Sequence, residues 1–135
     1  MPDFTVRYGK DGLPPPEADG RLDAAAFHRN HGPILAVLSR FLDAATGDVI
    51  EIGSGTGQHA VAFARSLPGL TWWPTDRNDD HLRSIAAWRA QAGLGNLRAP
   101  VRLDASESDW HLAERGMPNV FTAMFCANVI HIAPW

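Results

Sequence analysis

The sequence has a single cysteine, Cys126, so no disulfide can form within the chain. No apolar run is long enough to cross a bilayer, and the first residues lack the basic start and apolar block of a secretory signal. Lysine is equally scarce: Lys10 stands alone beside eleven scattered arginines, and the formal net charge is -3. These absences predict a protein of the reducing cytoplasm that binds neither a membrane nor a nucleic acid.

The sequence also gives no indication of a metal site or of a second domain. The six histidines show no H-E-x-x-H spacing, and one cysteine cannot build a structural zinc site. With 135 residues, 45% of them hydrophobic, the chain is long enough for one domain with a moderate core. We therefore expect one globular domain without a metal centre.

The amino-terminal part favours an extended conformation over a helix. Residues 9–20 contain Asp11-Gly12 and three consecutive prolines at positions 14–16. We interpret residues 1–22 as a flexible arm and residues 23–135 as the folded domain. A helical pattern begins at Asp23, is interrupted by Gly32-Pro33 and restarts with proline in its first turn, which predicts two helices before the first strand.

Beyond these helices, apolar runs typical of strands alternate with helical patterns. Strands are predicted at residues 48–52, 70–75, 99–103 and 120–126, and helices at residues 58–67 and from Asn78 or Asp79 to Gly93. This alternation predicts an α/β, doubly wound, mainly parallel sheet, whose ligands lie at the carboxyl ends of the strands. The apolar segment 120–126 favours a strand covered on both faces, with Cys126 as a small core residue.

The first strand runs directly into a bend with glycine at alternate positions, Gly53, Gly55 and Gly57. Glycine permits positive φ and a close approach of the backbone to a ligand. A dinucleotide fingerprint needs glycine where Gln58 stands, which weakens an NAD-binding interpretation, and no Gly-Lys-Ser/Thr follows as in a P-loop. The bend therefore predicts a small ligand other than a nucleoside triphosphate.

The remaining pattern, acidic-x-Gly-x-Gly-x-Gly from Glu51 to Gly57, resembles the first motif of class I S-adenosylmethionine-dependent methyltransferases. Further strings resemble a methyltransferase-like family of unassigned substrate, the domain of unknown function 938. The strings that carry this resemblance are Arg29-Asn30 with Pro33-Ile34-Leu35, residues 51–60, Trp73-Pro74-Thr75-Asp76 and residues 128–135. The resemblance implies a Rossmann-like methyltransferase sheet, S-adenosylmethionine as cofactor and methyl transfer to an acceptor, expected to be a small molecule.

The resemblance also implies roles for individual residues. The cationic ammonium and sulfonium of the cofactor favour a carboxylate at Glu51, Asp76 is implied to accept the ribose hydroxyls, and Asp104 the adenine amino group. Asn128 and His131 follow the fourth strand and are implied to face the acceptor, with His131 as a candidate general base. The implied cofactor-binding residues are Arg29, Asn30, Glu51, Gly53, Ser54, Gly55, Gly57, Asp76 and Asp104.

Structural interpretations stand beside these roles. Glu51 and Asp76 are also explained as strand-end carboxylates satisfied by backbone amides, Arg29 and Asn30 as residues that close a helix, and His131 as a buried structural histidine. The alternative functions are a non-catalytic S-adenosylmethionine-binding or assembly module and an NAD-binding oxidoreductase fragment.

The resemblance implies three further strands after residues 120–126, whereas the chain ends at Trp135. We therefore expect a sheet truncated after its fourth strand, lacking roughly the carboxyl-terminal half of the family's fold. The predicted strand order is 3-2-1-4, which leaves the fourth strand as an open edge. Such an edge predicts a truncated product or a homodimer that pairs through it.

Overall fold

The computed structural model of the protein describes residues 7–10 and 12–129. The helices and strands, in chain order, are α1 (Ala25–Leu42), β1 (Gly47–Ile52), α2 (Gln58–Ser66), β2 (Leu70–Asp76), α3 (Asp79–Ala92), β3 (Val101–Arg102) and β4 (Ala123–Cys126). The four strands form one parallel sheet in the order β3-β2-β1-β4. The predicted α/β architecture and the predicted strand order are both confirmed.

Strand β1 forms the centre of the sheet because its side chains are buried on both faces. Val49 lies in the larger core with Phe63 of α2 and Trp72 of β2. Ile50 and Ile52 point to the opposite face and lie in a second core. Burying a side chain of this size contributes about 1.5–3 kcal/mol, so the apolar residues of β1 fix the strand whose end carries Glu51 and the glycine bend.

The prediction of two helices before β1 is wrong, because α1 is one continuous helix with Pro33 inside it. Proline has no amide hydrogen to donate to the carbonyl of Arg29, one turn earlier. Arg29, Gly32 and Pro33 are all exposed. Water can therefore replace the missing hydrogen bond, and the helix continues.

The prediction that the fourth strand is covered on both faces is also wrong. Residues of β4 alternate between half-buried and exposed, with Met124 60% exposed. Cys126, predicted as a core residue, is exposed. Within the described residues no strand pairs with the outer edge of β4, as the predicted strand order 3-2-1-4 implies.

The amino-terminal segment joins the domain at Leu22, which is buried. The Leu22 N–H donates to Ser84 Oγ at 2.9 Å, and the Leu22 carbonyl accepts from Trp88 Nε1 at 2.9 Å. Residue 22 is thus packed on α3, while the predicted flexibility of residues 1–22 stays a prediction. Within residues 7–10 and 12–129, no helix has the length and apolar character that a membrane span requires.

Candidate functional site

The bend after β1 is bound to the end of β2 by two hydrogen bonds between Ser54 and Thr75. The Ser54 N–H donates to the Thr75 carbonyl at 2.8 Å, and the Thr75 N–H donates to Ser54 Oγ at 3.1 Å. The Thr75 hydroxyl in turn donates to the Glu51 carbonyl at 2.6 Å. Because all these groups are buried, the hydrogen bonds are needed to satisfy them, and they hold the bend rigid.

Two glycines of the bend serve different purposes. At Gly55, φ is +60° and a Cβ would meet no atom within 4 Å, so this position faces open space. At Gly57, φ is +90° and a Cβ would lie 2.8 Å from the Ile85 Cα of α3. Gly57 is therefore required by helix packing, whereas Gly55 presents bare backbone to a space that a ligand can occupy.

Glu51 lies under the bend and is only 2% exposed. Its Oε2 accepts a hydrogen bond from Trp72 Nε1 at 2.6 Å. Burial raises the pKa of the Glu51 carboxyl to about 8, although its hydrogen bonds with Trp72 and Ser54 act to lower it. In the absence of a nearby cation the group is therefore protonated at neutral pH.

Asp76 ends β2 directly beside the bend. Its Oδ2 accepts from the Gly55 N–H at 2.9 Å, and its Oδ1 accepts from the Asn78 N–H at 2.9 Å. Burial acts to raise the pKa of Asp76, but the hydrogen bond and charge of His81, with these two amides, outweigh it and lower the pKa. Asp76 is therefore a fixed negative charge next to the open space at Gly55.

His81 contacts the same carboxylate from the first turn of α3. Its Nδ1 lies 3.2 Å from Asp76 Oδ2. The Asn78 side chain caps α3 by accepting from the amides of Asp80 and His81, which fixes the direction of the helix. Among the residues that the structure describes, the buried Nε2 atom of His81 has no hydrogen-bond partner, which is unusual for a buried polar atom.

Asp104 lies at the same edge of the sheet, because the Leu103 N–H donates to the Asp76 carbonyl at 3.0 Å. Its Oδ1 accepts from the Ser106 hydroxyl at 2.6 Å and the Ser106 amide at 2.9 Å, which lower the pKa of Asp104. Its Oδ2 lies 3.6 Å from the Arg77 guanidinium. The carboxyl ends of β1, β2 and β3 thus carry Glu51, Asp76 and Asp104 along one edge.

A family model for proteins of unknown function, DUF938, matches residues 21–135. The chain belongs to the DUF938 family.

Solved structures show where this DUF938 chain fits among known folds. The DszA carbon methyltransferase matches with a TM-score of 0.60 and 20% identity over 81% of this chain and 30% of that one. EvdMO1 matches with a TM-score of 0.59 and 22% identity over 73% and 22%. Coclaurine N-methyltransferase, bound to N-methylheliamine and SAH, matches with a TM-score of 0.57 and 12% identity over 71% and 26%.

These similarities show a common fold, the Rossmann-like fold of methyltransferases. The DUF938 chain spans between 22% and 30% of the length of the three matched structures.

Four further predicted site residues belong to α1 or follow β4 in the sequence, and the structure describes three of them. Arg29 and Asn30 lie on α1, and neither side chain forms a hydrogen bond or ion pair within the described part of the chain. Asn128 follows β4 with a φ of +59° and is exposed, at the same edge of the sheet as Glu51. His131 lies outside the described residues. The roles of all four stay predictions.

Sequence reasoning missed three residues that the structure brings to this edge. Gln58 accepts from the Ala24 N–H and donates to Asp23 Oδ1, so it joins the start of α1 to the bend. His81 contacts Asp76, and Tyr8 contacts His81. A signal for His81 was present, because it occupies the first turn after an asparagine cap that follows Asp76 by two residues.

The residues of the edge fit S-adenosylmethionine in two respects. Gly55 faces open space beside the ionised Asp76, and His81 Nε2 has no hydrogen-bond partner among the described residues. Residues 7–10 and 12–129 contain no group of three or more histidine, cysteine or acidic side chains that could hold a metal ion.

Proposed function

We propose that this DUF938 protein binds S-adenosylmethionine at the carboxyl edge of β1 and β2 and takes part in methyl transfer to a small-molecule acceptor. The observation that carries the proposal is the pairing of Gly55 with Asp76. The Gly55 N–H belongs to a backbone position that is open to a ligand, and it donates to the Asp76 carboxylate, which keeps its negative charge. This arrangement suits a ribose-bearing cofactor without a pyrophosphate better than a nucleoside triphosphate.

The methyltransferase fold and the SAH bound to coclaurine N-methyltransferase support this assignment. When bound, S-adenosylmethionine supplies an electrophilic methyl group on a sulfonium. Methyl transfer disperses positive charge, so the protein's main contributions are alignment of the two reactants and removal of water. In this chain Asp76 holds the ribose, Glu51 places a carboxyl group under the bend, and the bend aligns the cofactor.

In this proposal the methyl acceptor binds near the part of the chain that follows β4. A Cβ on Gly53 would lie 2.4 Å from a methyl group of Val129, so this part of the chain passes close to the bend. Asn128 and His131 remain our candidates for contact with the acceptor. His131 is the candidate general base, since an imidazole titrates near neutral pH.

The test of cofactor binding is thermal unfolding of the protein with S-adenosylhomocysteine, and with NAD as the competing ligand. A ligand at 100 times its dissociation constant adds about 2.7 kcal/mol of stability. Asp76→Asn should abolish the stabilisation, whereas Asp109→Asn, at an exposed position remote from the bend in sequence, should retain it. Stabilisation by NAD alone would identify an oxidoreductase fragment instead.

The second candidate function is a non-catalytic S-adenosylmethionine-binding module, which would use the same pairing of Gly55 with Asp76 for binding alone. It predicts S-adenosylhomocysteine binding without transfer of a labelled methyl group to any small-molecule acceptor. Transfer to an acceptor by the purified chain would exclude it.

A further inference from the structure

The segment before α1 follows one face of α3. Leu22 is hydrogen-bonded to Ser84 and Trp88, and the Arg21 guanidinium lies 5.0 Å from the Trp88 ring centroid. Further towards the amino terminus, the Tyr8 ring contacts His81 edge to face, with centroids 5.8 Å apart. His81, Ser84 and Trp88 are three and four residues apart on one helix, so they form a single ridge.

His81 contacts the carboxylate that we assign to the cofactor ribose, and Tyr8 packs against His81. Burial raises the pKa of the Tyr8 hydroxyl, and the negative charge of Asp76 raises it further. His81 connects the two, through its ring contact with Tyr8 and its 3.2 Å contact with Asp76. The Asp76 side chain is only 7% exposed.

The hydrogen bonds of Asp76 leave limited room for a ribose. An ionised carboxylate has about four lone-pair positions, and the Gly55 amide, the Asn78 amide and His81 Nδ1 use three of them. A ribose that presents two hydroxyl groups therefore needs a second acceptor or the withdrawal of His81. His81 has a second polar atom, the buried Nε2, that has no hydrogen-bond partner among the described residues.

From these contacts we infer that Tyr8 is part of the cofactor site, carried by an amino-terminal strap that opens to admit the cofactor and closes its aromatic ring over the ribose end. The strap is defined as residues 7–10 and 12–22 and is anchored to α3 at Leu22. This inference rests on the proposed function, because it assigns the ligand of the covered carboxylate. It adds a binding residue in the segment that the sequence indicates only as a flexible arm.

The first test uses the protein without any ligand. Tyr8 is the single tyrosine of the chain, so the ultraviolet absorbance of the phenolate reports this residue alone. The midpoint should lie above the ordinary value of 10.0 and should fall in Asp76→Asn, which removes the negative charge. A midpoint at the ordinary value in the folded wild-type protein would show that Tyr8 does not cover Asp76, and the inference would be overturned.

The second test uses the single lysine of the chain, Lys10, two residues from Tyr8. A lysine-specific protease cuts the chain only there, so the cleavage rate reports the opening of the strap. S-adenosylhomocysteine should slow cleavage of the wild-type protein in step with saturation of the site. In Tyr8→Ala the ligand should give less protection at equal saturation, because the ring that holds the strap closed is gone.

Binding measurements complete the test. Tyr8→Ala should weaken S-adenosylhomocysteine binding roughly 2- to 10-fold, the range expected for loss of one aromatic contact. Tyr8→Phe, which keeps the ring, should bind like wild type, and so should Lys10→Ala, an exposed change in the same segment. Normal wild-type binding with no loss in Tyr8→Ala and no protection of Lys10 would overturn the strap and leave the proposed function standing. Failure of the wild-type protein to bind would overturn both.

Discussion

Trp72 donates its indole N–H to a carboxyl oxygen of Glu51 at 2.6 Å, and both side chains are buried. The two residues lie on neighbouring strands, where Val49 pairs with Trp72 and Glu51 follows two positions later on the same face. The indole of Trp72 on β2 thus provides the hydrogen-bond donor for the buried carboxyl group of Glu51 near the end of β1. Because burial raises the pKa of Glu51 to about 8, this acid gives the protein two pH-dependent properties.

The first is the pH dependence of folding stability. In the unfolded chain Glu51 has its ordinary pKa of 4.5, so between pH 4.5 and about 8 the folded protein binds the extra proton. The contribution of Glu51 to stability is therefore complete below pH 4.5 and is lost as pH rises, by up to about 1.4 kcal/mol per pH unit. The stability advantage of Glu51→Gln over wild type should be small at pH 5 and should grow towards pH 8, as measured by urea unfolding.

The comparison with Glu51→Gln separates this effect from that of His59. Burial, and to a smaller extent the charge of His31, lower the pKa of His59 below 6.5, so its contribution to stability has the opposite sign and is lost as pH falls. Since His59 is present in both proteins, its contribution cancels in the difference. A wild-type-to-variant difference that stays constant from pH 5 to pH 8 would contradict a raised pKa at Glu51.

Trp72 itself should be costly to replace. Trp72→Phe keeps an aromatic ring but leaves the buried Glu51 oxygen without its donor, which should cost about 2–3 kcal/mol of unfolding free energy. Trp73→Phe is the matched control, because Trp73 donates to Asp48 at 2.7 Å from a half-buried position and should cost roughly 1 kcal/mol. Equal losses of unfolding free energy in the two variants would show that the Trp72 hydrogen bond stabilises the protein no more than the Trp73 hydrogen bond does.

Much of the fold could be predicted because strand and helix periods alternate clearly. The runs that became β1 and β2, and the helix boundaries at Asn78 and Gly93, are local features that tertiary contacts did not override. The burial of β4 was not predicted, since an apolar run does not show which of its side chains tertiary contacts cover, and Met124 and Cys126 are exposed. Pro33 was misinterpreted because exposure to water decides what a missing amide costs.

The candidate site was predictable in its outline and not in its chemistry. Spacing along the chain placed Asp76 beside the bend, and the Gly55 hydrogen bond shows that this proximity is real. The protonation of Glu51 depends on burial and on Trp72, a residue 21 positions away. The contact of Tyr8 with His81 joins residues 73 positions apart. Sequence periodicity contains no information on such distant pairs.

The different purposes of the glycines can be tested with three alanine substitutions. Gly57→Ala should cost about 2–5 kcal/mol of stability, because its Cβ meets the backbone of Ile85 and its φ is +90°. Gly55→Ala adds only the cost of positive φ, about 1–2 kcal/mol, yet should sharply weaken S-adenosylhomocysteine binding, because the methyl group enters the space that we assign to the cofactor.

Gly93→Ala is the matched control for Gly55→Ala. At Gly93, φ is +63° and a Cβ would meet nothing within 4 Å, so the backbone strain is the same, but the residue lies at the far end of α3. The two variants should lose similar stability in denaturant unfolding, while only Gly55→Ala loses ligand affinity by calorimetry. Equal affinities would place the cofactor away from the bend.

The second pH-dependent property of Glu51 concerns cofactor binding. A cationic ligand near the carboxyl group stabilises its ionised form, so binding should lower the pKa of Glu51 from about 8 and release a proton. The affinity for S-adenosylmethionine should therefore rise with pH until pH reaches about 8 and then level off. At pH 7, calorimetry in two buffers of different ionisation enthalpy should detect release of roughly one proton per site, and less with S-adenosylhomocysteine, whose sulfur is uncharged. Glu51→Gln should bind without proton release; release that persists in this variant would assign the proton to another group.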